Sequence, residues 1–137
     1  MYFKPVLSLD QCQAAIKAML EEHNKVPNRR PVDMAIVDDH GNLLMYARLD
    51  KCYKPTFATR KAYTSAMRGT DTVAFAEQLK TQGRALAEMG DPQLVTLQGG
   101  LVIRSSDGTV LGGIGVGGLT SQEDEDISRA GLKAMQL

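Results

Sequence analysis

The stretch Val110-Leu111-Gly112-Gly113-Ile114-Gly115-Val116-Gly117-Gly118 constrains this chain more than any other. It reads as a strand over about residues 109–116, yet five of its residues are glycine. Alternation puts Val110, Gly112, Ile114 and Val116 on one face, and Leu111, Gly113, Gly115 and Gly117 on the other. Glycine weakens a strand, so a nearly bare face implies that something approaches its backbone closely. Two occupants are open: a tightly packed helix or a ligand. A dinucleotide fingerprint is not among the readings, because no βαβ unit surrounds Gly115-Val116-Gly117-Gly118. The Gly-Lys-Ser/Thr of a phosphate loop is absent too, although the amides before the last helix could hold an anion.

The rest of the chain supplies the layers for such a strand. A helix over about residues 8–23 starts at Ser8, with Gln11 completing a capping box. Its apolar stripe is Leu9, Cys12, Ile16, Met19, Leu20 and His23. A hairpin follows, with strands at 34–38 and 43–49 and Gly41 in the turn. On its second strand Leu43, Met45, Ala47 and Leu49 should share one face, and Leu44, Tyr46 and Arg48 the other. A loop through Lys54 and Pro55 leads to a helix over about 56–67, stopped at Gly69, and then to a less regular helix over 72–89. Strands are expected at 94–98, 101–105 and 109–116. A last helix over 121–135 is capped by Thr120 with Glu123. The acidic run Glu123-Asp124-Glu125-Asp126 suits the solvated first turn of that helix. One α+β domain spanning 1–137 results, with about five mainly antiparallel strands flanked by helices.

Composition narrows the partners. Sixteen basic residues balance sixteen acidic ones, which argues against a nucleic-acid partner that must neutralise many phosphates. No apolar run approaches the ~20 residues of a membrane span. The start lacks a secretory pattern, so the expected location is cytoplasmic. Cys12 and Cys52 lie far apart with no CxxC spacing, which excludes a disulfide scaffold or structural zinc site and leaves two free thiols. No metal site is expected.

Chemistry can be placed on the middle helix. Phe57, Lys61, Thr64 and Arg68 recur at helical spacing with Arg60 beside them. They form either a solvated polar face or a cationic wall with a hydroxyl, suited to a carboxylate-bearing ligand. Ala58, Ala62, Ser65 and Ala66 make the opposite side small. Arg48 ends a strand beside large side chains. His40 sits in a turn and His23 at a helix end, and either is open as an axial ligand to a haem iron.

The ordered series Met34-Ala35-Ile36-Val37-Asp38-Asp39-His40-Gly41-Asn42-Leu43, Ala47-Arg48-Leu49-Asp50, Arg60-Lys61-Ala62-Tyr63-Thr64-Ser65-Ala66, Gly99-Gly100-Leu101-Val102-Ile103 and Gly112-Gly113-Ile114-Gly115-Val116-Gly117-Gly118 resembles the GlcG/HbpS family. The domain also resembles the C-terminal part of PduO-type cobalamin adenosyltransferases. The resemblance implies a profilin-like or PAS-like fold with a five-stranded antiparallel sheet, and homo-oligomers. It implies a small-molecule ligand, with haem or another tetrapyrrole as the first candidate. Arg48, Arg60, Lys61, Thr64, Gly99, Gly100, Gly117 and Gly118 are then the ligand-binding positions. Propionates would pair with Arg48, Arg60 and Lys61, and the bare glycine face would admit the ring. Other relatives suggest an ammonia-eliminating lyase of the hydroxylaminobenzoate type, with Lys61 and Thr64 catalytic, or a non-catalytic accessory subunit of glycolate or diol metabolism.

Overall fold

The computed structural model describes residues 1–53 and 57–137. In chain order the elements are α1 (Leu9–Asn24), β1 (Asp33–Asp38), β2 (Leu43–Arg48), α2 (Ala58–Arg68) and α3 (Thr72–Gln82). A short 3-10 turn at Leu86–Met89 precedes β3 (Gly100–Arg104), β4 (Val110–Gly117) and α4 (Ser121–Ala134). The expected helix start at Thr56, and the loop residues Lys54 and Pro55, lie outside the described residues. The stops arise where anticipated or earlier. Gly69 and Gly83 end α2 and α3 in the left-handed conformation, so the helix expected over 72–89 breaks at Gly83.

Among the described residues the sheet has four strands, not five, in the order β2-β1-β4-β3, and every pairing is antiparallel. The segment 94–98 does not join it. Its Val95 amide donates to Thr64 Oγ1 at 3.0 Å, and its Leu94 amide to the Asp91 carbonyl at 3.2 Å. The neighbouring edge is already used: the Val102 and Gly100 amides of β3 donate to Asp71 Oδ1 and Thr72 Oγ1, both at 3.0 Å. Side chains at the start of α3 thus blunt the edge that a fifth strand would need.

Helices cover both faces of the sheet. Met34, Ile36, Leu101, Ile103, Ile114 and Val116 meet Cys12, Ala15 and Met19 of α1 and Ile127 of α4 in the main core. Both capping boxes form, at Ser8 with Gln11 and at Thr120 with Glu123. Leu9 is a correction: it is exposed, and Ala15 takes the buried position instead. On the opposite face Ala35 and Val37 pack against Ala58, Ala62 and Ala66 of α2.

That second contact answers the question posed by the bare strand. A methyl group built on Gly113 would stand 2.0 Å from the Ala62 carbonyl oxygen, and one on Gly115 2.3 Å from that of Ala58. One on Gly100 of β3 would stand 2.4 Å from the Lys61 carbonyl oxygen. The occupant of the glycine face is therefore the backbone of α2, and no flat ring enters there. The alanines of α2 and the glycines of the sheet are two halves of one close approach.

Two bulges alter the expected alternation. Ile36 pairs with Met45 but Val37 pairs with Leu43, so Leu43 shares a face with Tyr46 and Arg48 rather than with Met45. Leu111, at the β3–β4 irregularity, joins the main core instead of the glycine face. No helix among the described residues is long and apolar enough to cross a membrane.

Gly113→Ala should cost about 2–3 kcal/mol or prevent folding, since backbone meets the new methyl. Urea unfolding measures this, and an alanine variant as stable as the parent would contradict the close contact.

Candidate functional site

Lys61 leaves α2 over the glycines and runs inward instead of to solvent. A side chain at Gly99 would meet its Nζ at 2.9 Å, and one at Gly115 its Cβ at 3.0 Å, so those two glycines form its passage. Nζ donates to the Val116 carbonyl at 2.9 Å and to Asp124 Oδ2 at 3.0 Å. Asp124 accepts a second bond from the Leu119 amide, at 3.0 Å, through Oδ1. The Lys61 and Asp124 side chains are only 6% and 3% exposed, so neither charge is free for a ligand. Burial pushes the Asp124 carboxyl above its usual range, while the Lys61 ammonium and the Leu119 amide oppose that rise. The expected solvated start of α4 therefore holds a carboxylate turned inward.

Thr64 is equally committed. Its Oγ1 donates to the Arg60 carbonyl at 2.8 Å and accepts from the Val95 amide at 3.0 Å. The Gly99 carbonyl accepts from Ser128 Oγ at 2.6 Å, and Gly100 is bonded to Thr72. Lys61, Thr64, Gly99 and Gly100 thus meet along one interior seam. Gly117 lies elsewhere, at the sheet's end opposite Asp33. Gly118 follows it with φ +122°, where a methyl would stand 2.7 Å from the Pro31 carbonyl oxygen. The supposed cationic wall is divided: Lys61 points in, Arg68 stacks on Phe75 at 5.2 Å, and Arg60 bonds to the carbonyls of Pro92 and Gln93.

The exposed chemistry gathers on β2. Pairing places Arg48, Asp33 and Gly117 side by side across the sheet. Arg48 is exposed, whereas Asp33 is buried. Tyr46 Oη donates to Asp33 Oδ2 at 2.7 Å, and its phenol is pushed up to about 12 by burial and by that carboxylate. Burial also raises the Cys52 thiol, as does the Asp33 charge, with Arg48 opposing. A raised thiol is a poor nucleophile at neutral pH.

Helix α2 packs on β1, β3 and β4, and among the described residues no helix packs on the same face of β2 to a comparable extent. Leu43 and Tyr46 are exposed there. Thr59, Tyr63 and Met67 form the adjacent stripe of α2, with Gly41 of the β1–β2 turn against the Tyr63 ring and Met67 Sδ. The result is a mainly apolar strip with Arg48 at one end.

Neither histidine is aimed at this strip. His23 Nε2 donates to the Arg30 carbonyl at 2.7 Å, buried at the end of α1. His40 is exposed in the turn, its Nδ1 3.3 Å from Asp39. Asp38, Asp39 and His40 bring three ligand atoms within 4.8 Å, but the Asp38 carboxylate already closes the turn by accepting from the His40 and Asn42 amides.

The family described as "Haem degrading protein HbpS-like" matches residues 7–133. The chain belongs to the HbpS-like family. Protein GlcG of Escherichia coli strain K12 is 34% identical over 115 residues, 82% of each chain. A double mutant of Streptomyces reticuli HbpS superposes with a TM-score of 0.83 at 29% identity, covering 97% of this chain and 89% of that one. The PduOC:heme complex superposes at 0.82 with 26% identity over 95% of both chains.

The glycine face has no room for a tetrapyrrole, and the apolar surface with a cation that the described residues present lies outside it. Helix α2 fills the glycine face, whereas the strip of Leu43, Tyr46 and Met67 offers a flat apolar surface ending in a cation. Sequence reasoning missed Asp33, Tyr46 and Asp124. For Asp124 the signal was present, since Asp124, Ile127, Ser128 and Gly131 recur at helical spacing and all face inward.

Lys61→Met should cost about 3–5 kcal/mol, because it strands a buried carboxylate. A raised carboxyl contributes stability at low pH and loses it as pH rises, so this deficit should shrink on acidification through the carboxylate range. Adding Asp124→Leu should recover most of the loss; urea melts across pH test both points. In a phenolate absorbance titration, one tyrosine should ionise near pH 12 and disappear in Tyr46→Phe. The stability tied to that phenol is present below its ordinary range and lost as pH rises through about 12.

Proposed function

We propose that this chain binds haem or a related tetrapyrrole on the open face of β2, within a homo-oligomer. The likeness to the PduOC:heme complex over nearly the whole of both chains carries this reading. Locally it is supported by the strip itself. Leu43, Tyr46 and Met67 contribute apolar surface, and Arg48 offers a propionate the charge-assisted bonds that a guanidinium makes well. Haem, when bound, supplies a redox-active iron. The side chains hold and orient the ring, and Asp33 fixes the Tyr46 phenol at its edge. A ring on an open strand keeps one face in water, which favours a second copy of the chain closing over it.

An eliminating lyase would need Lys61 or Thr64 at its substrate, and both have their polar atoms engaged inside the fold. No observation favours that reading over binding.

Haemin titration followed at the Soret band should saturate at a fixed ratio per chain. Arg48→Ala should weaken binding about tenfold, the scale of one charge-assisted contact, and Leu43→Glu should weaken it further. Non-saturating drift, or affinity unchanged in both variants, would overturn the proposal. It would leave an oligomer without a tetrapyrrole, as an accessory subunit would be.

A further inference from the structure

On the side of α2 turned away from the sheet, the 3-10 turn Leu86–Met89 and the segment after it enclose a pocket of about 380 Å³. Leu86, Ala87, Pro92 and Leu94 give it aliphatic walls, and Arg60 and Asp91 supply its charged groups. The two charges are in different situations. Asp91 accepts from Tyr63 Oη at 2.6 Å and from the Gln93 amide at 3.0 Å, so both its oxygens are engaged. The half-buried Arg60 guanidinium donates through Nε and Nη2 to the carbonyls of Gln93 and Pro92, and packs 5.8 Å from the Phe57 ring. Those partners are neutral. Among the described residues no carboxylate forms an ion pair with Arg60.

A guanidinium carries five N–H donors in a fixed fork. Two carbonyls hold this one in orientation and leave donors on Nη1 without a neutralising partner. A partly desolvated cation with no directly paired carboxylate is costly, and its orienting bonds make it a preorganised receptor for an anion. The volume lies in the range of small-molecule sites, and its walls are apolar.

We propose that this pocket is a second ligand site, taking a short monocarboxylate with a compact apolar body: the carboxylate on Arg60, the body against Leu86, Ala87 and Leu94. The inference is independent of the tetrapyrrole reading, since none of Leu43, Tyr46, Arg48 or Met67 lines this pocket.

Cyclohexanecarboxylate is a suitable probe, with cyclohexylmethanol as its uncharged counterpart of similar shape. Amide resonances at Ala87, Gly90 and Leu94 should shift saturably with the carboxylate, and about tenfold more weakly or not at all with the alcohol. Arg60→Gln should abolish the difference between the two. Because Arg60 also secures the Pro92 segment, a second variant is needed. Ala87 is exposed, so Ala87→Phe can fill the pocket without disturbing the fold, and it should block the shifts while leaving Arg60 in place. Equal response to acid and alcohol, undiminished binding in Ala87→Phe, or shifts confined to Leu43, Tyr46 and Arg48 would each overturn the proposal. Arg48→Ala should leave this site unchanged, so failure here and failure of the tetrapyrrole reading are separable.

Discussion

The fold depends on one helix lying against the bare backbone of the sheet's glycines. Gly113, Gly115 and Gly100 let the carbonyls of α2 come so near that even a methyl group would collide, and Ala58, Ala62 and Ala66 make the matching surface on the helix. Dispersion at such short range is dense, and its geometry tolerates little adjustment. The position of α2 is therefore sharply defined, and so is everything attached to it. The buried lysine is the clearest dependent. It can reach Val116 and Asp124 only because the helix is low enough and Gly99 and Gly115 leave it a passage.

A buried ion pair is weak evidence of stability, since both charges lose their water. Here its role is better described as registration. It ties α2, on one face of the sheet, to the first turn of α4, on the other: the lysine donates to a strand carbonyl and to a carboxylate, and that carboxylate also accepts from a loop amide. With these bonds made, sliding α2 along the glycine strand would strand a charge.

How much of this was legible follows from where the information is local. The capping boxes at Ser8 and Thr120, the glycine stops and the β1–β2 turn are written within a few residues, and all formed. The bare strand announced a close approach without naming the occupant. Periodicity also failed in identifiable places. At Leu43 and Leu111 a bulge shifts the alternation by one residue, which no pattern of period two can signal. At 94–98 a strand-like run is captured by the Thr64 hydroxyl. Lys61 and Asp124 each resemble surface residues on their own helix; only their meeting across the sheet shows that they are interior. The family resemblance located the same positions but could not say which of them face a ligand.

The strand order has a consequence for how the chain reaches this state. β1–β2 and β3–β4 are hairpins with short connections, whereas β1 and β4 must meet across most of the chain. The entropic cost of closing that long loop falls on a single seam, and the seam is where the glycine strand lies. Before it closes, α2 has no complete surface on which to rest. Each hairpin can therefore form early, but joining them is the slow and cooperative event, and the interior lysine finds its carboxylate only once the two halves have met.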